Sequence, residues 1–150
     1  MTKSIFAVAV AAVLAVTSFT ASAGVDKWTE GYVQGTSEYM YTNKQNQTVN
    51  FSCSADRPMS IHLDSGNKSK SNMDDGRAVF VFNGDARKST ELEYNDGSNA
   101  GESNFQATME YIETEKSVTI VIDGVKATFP LTGTKVVFKD NECFASDTYR

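Results

Sequence analysis

Ser60, His62 and Asp64 alternate along one short stretch and would place a hydroxyl, the only imidazole of the chain and a carboxylate on one strand face. Nucleophilic hydrolysis uses such a set when the base lies within hydrogen-bond reach of the nucleophile. Side chains two residues apart on a strand instead stand parallel, about 6.5–7 Å from one another. The set therefore reads as a solvated strand face. Asp74-Asp75 and the pair Glu113 and Glu115 supply further carboxylates, but general acid–base work needs partners that the fold brings together. With no nucleophile, metal-ligand or phosphate-binding motif, the chain reads as a protein that is not an enzyme and takes no cofactor.

Two stretches offer binding chemistry. Asn95-Asp96-Gly97-Ser98-Asn99-Ala100-Gly101-Glu102 carries oxygen ligands and glycines that could cup calcium, yet its spacing is not that of an EF-hand. A flexible polar loop is the simpler reading, and Asn95, Asp96, Asn99 and Glu102 become candidate partner contacts because exposed loops commonly carry recognition. Tyr39 and Tyr41 share one face of a predicted strand, with Met40 opposite, and Trp28 and Tyr32 lie nearby in sequence. The two tyrosines are candidate partner contacts if they face solvent; the competing reading packs them into the core.

The elements that would position these groups begin after an export signal. Met1-Thr2-Lys3-Ser4 is a short positive start, and Ile5 to Val16 is an apolar run too short for a stable membrane span. Ala21-Ser22-Ala23 supplies the small residues of a cleavage site, with Gly24 as the new N-terminus. Residues 1–23 are thus a cleaved signal peptide, and removing 23 of the 150 residues leaves 127 for a single β-rich domain over 24–150. Losing Lys3 takes the net charge from −5 to −6. Such an acidic domain repels phosphate backbones, so nucleic acid is not an expected partner, and no basic cluster addresses a membrane surface. Cys53 and Cys143 are the only cysteines, and in an oxidising compartment they are expected to bond to each other. Closing a loop of about 90 residues removes unfolded-chain entropy worth roughly 4–5 kcal/mol.

Val49, Phe51 and Cys53, and then Ile61 and Leu63, alternate with polar residues as half-buried strands do. Asp64 to Gly76 has no apolar period and reads as a solvated loop or hairpin end. Ala78 to Phe82 is apolar on both faces, the pattern of a central strand covered on both sides. A second long polar loop is expected from Asn95 to Ser103. Phe105, Ala107, Met109 and Tyr111 then alternate as a strand, leading into a tight hairpin whose turn is Asp123-Gly124. Together these predict a meander of at least three antiparallel strands. Around Val136-Val137-Phe138 both a strand and a short helix remain open, the helix being preferred and carrying Cys143. The fold class is mostly β: an antiparallel β-sandwich or curved sheet with a short C-terminal helix.

Trp28, the strand Val49-Asn50-Phe51-Ser52-Cys53 and the run from Ala127-Thr128-Phe129-Pro130-Leu131-Thr132-Gly133 to Cys143 together resemble small periplasmic two-cysteine proteins, of the type VI secretion-associated and invasion-associated kind. The resemblance implies a β-sandwich whose last glycine opens a short helix bearing the second cysteine, and no enzymatic activity. The functional expectation is an exported binding or accessory protein of the cell envelope, with a protein or envelope component as partner and no integral membrane anchor. The alternative is an inhibitor or immunity factor whose acidic loop plugs a basic cleft of a cell-wall enzyme or toxin.

Overall fold

The computed structural model describes residues 25–54 and 57–138. The segment expected to be a signal peptide, Gly24 and Cys143 lie outside these residues. Among the described residues nine strands form two antiparallel sheets. The first holds β1 (Thr29–Val33), β2 (Thr36–Thr42), β3 (Gln47–Ser54), β4 (Arg57–Ser65) and β5 (Lys68–Ser71) in sequential order. The second holds β6 (Ala78–Phe82), β7 (Ser89–Leu92), β8 (Ser117–Ile122) and β9 (Val125–Pro130) in the order β7-β6-β8-β9. Two helices complete the described residues, α1 (Asn99–Thr114) and α2 (Thr134–Val137). The sandwich expected from strand alternation is thus the observed architecture.

Alternation builds the core directly. Tyr39, Val49, Phe51, Ile61 and Leu63 point inward from the first sheet, and Phe80, Phe82, Ile120, Ile122 and Phe129 from the second. Phe51 stacks on Trp28 and Phe80 at ring-centroid distances of 5.9 and 6.3 Å, so one side chain ties the two sheets together. The Trp28 indole N–H donates to the Pro130 carbonyl at 2.9 Å, anchoring the start of the described chain to the end of β9. Phe138, just past α2, stacks on Tyr39 at 4.4 Å.

The tight hairpin at Asp123-Gly124 is present as expected, with φ of 44° and 74° at the two turn residues. Positive φ at both positions is what a type I′ turn requires, and its twist matches that of the paired strands. Three expectations are corrected. The stretch from Phe105 to Tyr111 is not a strand but the middle of α1, and the loop expected to run to Ser103 ends at Ser98. The Ser98 hydroxyl accepts from the Gly101 N–H at 3.1 Å and caps the helix. Gly101, Phe105, Thr108, Met109 and Ile112 then fall on one buried face with helical spacing. The neighbour of β8 on its other side is accordingly β6, so the meander expected from Phe105 through the β8–β9 hairpin does not form.

The polar stretch after Asp64 also hides a strand, since β5 pairs with β4. Asn72 extends that edge with its side chain, its Oδ1 accepting from the Ile61 N–H at 2.8 Å. Finally, β6 buries only Ala78, Phe80 and Phe82; Val79 and Val81 are half-exposed, so one face rather than both is covered. At the C-terminal end the helix alternative holds for Thr134–Val137. Thr134 does not cap it, because its hydroxyl is turned into the core toward the Ile112 and Leu131 carbonyls at 3.0 and 2.7 Å.

Lys70 on β5 joins the two sheets, pairing with Asp75 at 2.8 Å and with Asp123 in the β8–β9 turn at 2.7 Å. Hydrogen bonds to Asp123 and then Asp75 hold the Lys70 ammonium protonated well above its usual range. The hydrogen bond from Lys70, and after it that from the Ser71 N–H, holds the Asp75 carboxyl below its usual range. A depressed carboxyl stabilises the fold fully above its ordinary value of 3.8 and stops doing so as pH falls through the lower folded value. The raised lysine contributes below its ordinary 10.5 and loses that contribution at higher pH. Urea titrations of wild type and Asp75→Asn should therefore diverge at neutral pH and converge below pH 3.8. Parallel curves throughout would remove the bridge from the acid response.

Candidate functional site

The residues singled out for partner contact are separated by the fold. Tyr39 and Tyr41 are buried in the core, so neither offers a surface to a partner. Tyr41 contacts Trp28 and Phe129, and burial, then the neighbouring Asp26 carboxylate, raises its phenol above the usual range. Asp96 is drawn into the start of α1, where its Oδ1 accepts from the Ser98 N–H at 3.1 Å. Hydrogen bonding to Ser98 holds its carboxyl below the ordinary range. Glu102 lies in the first turn and accepts from the Gln106 side chain at 3.1 Å. Asn95 and Asn99 remain exposed on either side of this cap. The stretch is thus largely spent on starting a helix. Among the described residues no group of three or more His, Cys, Asp and Glu side chains converges as metal ligands would.

Ser60, His62 and Asp64 stand on the outer face of β4, while Met59, Ile61 and Leu63 point into the core. His62 is opposite Asn50 on β3 and Ser71 on β5. The three side chains lie parallel along the strand, as its pleat requires. Cys53 is buried at the far end of β3.

Two surface features went unread in the sequence. The first is the strand β1, which is hydrogen-bonded to β2 on one side and to no strand on the other among the described residues. The other terminal strands have neighbours: β5 and β9 approach one another, and α1 packs on β7. Tyr32 is 67% and Val33 48% exposed on this bare edge. Natural edges are blunted by lysine, proline, bulges or inward charge. β1, with the sequence Thr-Glu-Gly-Tyr-Val, has a single charged residue, Glu30, and no lysine or proline.

The second is a cleft of about 150 Å³ at the end of the sandwich where β3 passes into β4. A register shift between Ser52 and Ser54 bends the hairpin there, and such bulges re-aim side chains. Ser52, Ser60, Thr36, Arg57, Tyr94 and Met73 line it. A more open groove of about 340 Å³ along α1 is lined by Phe105, Gln106, Met109, Glu110 and Glu113, all from one helix, so no polar group from a second element faces them across it.

The model of the YfjT family matches residues 26–138, most of the chain and nearly all of the described structure. The chain belongs to the YfjT family. This YfjT-family match spans both sheets, both helices and Cys53, and stops short of Cys143. No curated protein and no solved structure matches the chain. No helix among the described residues is long and apolar enough to cross a membrane.

Proposed function

We propose that this YfjT-family protein is an exported, non-catalytic binding or accessory protein of the bacterial cell envelope that engages a protein partner by adding a strand to β1. The observation that carries the reading is the bare edge itself, with Tyr32 and Val33 exposed on a strand that lacks the usual protections. Strand addition draws affinity from backbone hydrogen bonds and specificity from alternate side chains. The alternative of an inhibitor that inserts an acidic loop loses its main support, because Asp96 and Ser98 are engaged in capping α1.

Export rests on the apolar start and the Ala21-Ser22-Ala23 site. In the same reading the buried Cys53 bonds to Cys143 after secretion. The mass of the secreted protein is expected to match residues 24–150 less two hydrogens; an intact Met1 or two free thiols would refute those parts.

The partner site is tested by capture from periplasmic extract with wild type and with a Tyr32→Lys/Val33→Lys double variant. Loss of the captured protein by at least roughly tenfold, at an unchanged melting temperature, is the expected result, since charge on an edge blocks strand addition. Equal capture by both proteins would remove β1 from the interface. A single cell-wall enzyme held at equal stoichiometry, with its activity abolished, would replace the accessory role by the inhibitor.

A further inference from the structure

We propose that the end cleft between β3, β4 and Tyr94 is a binding site for a small monocarboxylate. Three observations converge there. The first is unspent donor capacity. Among the described residues, the hydroxyls of Thr36, Ser52, Ser60 and Tyr94 and the guanidinium of Arg57 make no hydrogen bond or ion pair within the protein. Hydroxyls can donate or accept, whereas guanidinium only donates, so the group that meets Arg57 must be an acceptor.

The second observation is charge. The chain carries 19 acidic against 14 basic residues, and its other described arginines have carboxylate partners. Arg77 pairs with Glu91 at 2.8 Å and Arg87 with Asp85 at 2.9 Å. Arg57 has none among the described residues, and no described carboxylate lines the cleft. A guanidinium left open in an acidic protein, ringed by hydroxyls, matches an incoming carboxylate, which it can hold through two parallel N–H bonds. The surrounding negative charge favours a single over a double anion, which sets a monocarboxylate ahead of a phosphate monoester.

The third observation is size and lining. One water needs about 10–15 Å³ of cavity space, so the cleft of about 150 Å³ has room for a carboxylate with a short carbon body. Met73, 47% exposed, offers apolar contact for that body beside Pro58. The same carboxylate chemistry could arrive as a free small acid or as the C-terminus of a peptide. This site does not depend on strand addition at β1 and is tested separately.

The test is a titration of the secreted protein, followed by amide and arginine side-chain resonances, with N-acetylalanine, its neutral amide and N-acetyl-dialanine. N-acetylalanine is expected to give saturable shifts confined to the cleft, with a Kd of about 1 mM or tighter, while the amide gives none. Arg57→Gln should weaken binding roughly tenfold or more, because it removes a charge-assisted pair, with the melting temperature unchanged; Arg57→Lys should retain part of the affinity. Tighter binding of the dipeptide assigns the site to peptide ends, and equal binding assigns it to free acids. Equal shifts with acid and amide, shifts that never saturate, or unaltered affinity in Arg57→Gln would overturn the proposal.

Discussion

Phe51→Ala is expected to destabilise the protein by about 3–5 kcal/mol, a large part of the roughly 5–15 kcal/mol that holds a domain of this kind together. Phe51 is 1% exposed and lies at the centre of an aromatic cluster: Trp28 and Phe138 are each 5.9 Å away and Phe80 on the opposite sheet is 6.3 Å away. Truncation loses the transfer energy of the ring and leaves a cavity that two hydrogen-bonded sheets cannot readily close. Because Trp28 and Phe138 bring in the two ends of the described chain, loosening should spread to β1 and α2. Urea denaturation should show a lower midpoint, and hydrogen exchange should rise first in those two elements. A loss below about 1 kcal/mol would mean that the sheets collapse onto the gap, and that the cluster is not the tie between them.

Gly101→Ala should also destabilise, although alanine is the better helix former by about 1 kcal/mol. Gly101 is buried in the first turn of α1. A Cβ there would meet the Asp96 carbonyl oxygen at a distance no real Cβ adopts, with the Asp96 carboxyl carbon at 2.6 Å and Oδ2 at 2.7 Å. The carbonyl belongs to backbone that cannot swing aside, and Asp96 is held further by the Ser98 N–H. Overpacking of this kind costs about 1–3 kcal/mol, enough to reverse the propensity gain. Gly97→Ala is the control: nothing lies within 4 Å of its Cβ, and its φ is not positive, so its melting temperature should hardly move. If Gly101→Ala raised the melting temperature, the close approach of the Asp96 loop to α1 would be wrong.

The correction at α1 shows where pattern reading reaches its limit. Phe105, Ala107, Met109 and Tyr111 fit a period of two, and Phe105, Thr108, Met109 and Ile112 fit a period of 3.6. Over so short a window apolar spacing is degenerate, and the deciding signal was Ser98 ahead of Gly101 and Glu102, a cap followed by acid in the first turn. The strand β5 escaped notice for another reason. Lys68-Ser69-Lys70-Ser71 has no apolar face of its own, because the edge it occupies is stabilised by pairing with β4 and by the Lys70 bridges.

The sequence by itself determined what depends on near neighbours. Alternation in β3 and β4 placed Val49, Phe51, Ile61 and Leu63 in the core and Ser60, His62 and Asp64 outside it, because the strand period is two. Asp123-Gly124 determined the β8–β9 hairpin, because positive φ at adjacent residues suits few other pairs. The tertiary structure alone decided the placement of β6 against β8, the burial of Tyr39 and Tyr41, the exposure of β1 as an unpaired edge, and the gathering of Thr36, Ser52, Arg57, Ser60, Met73 and Tyr94 around one cleft. Each of these depends on which distant surfaces come together. Their signals are spread over dozens of residues, and it is sheet pairing and core packing, not local spacing, that bring them into register.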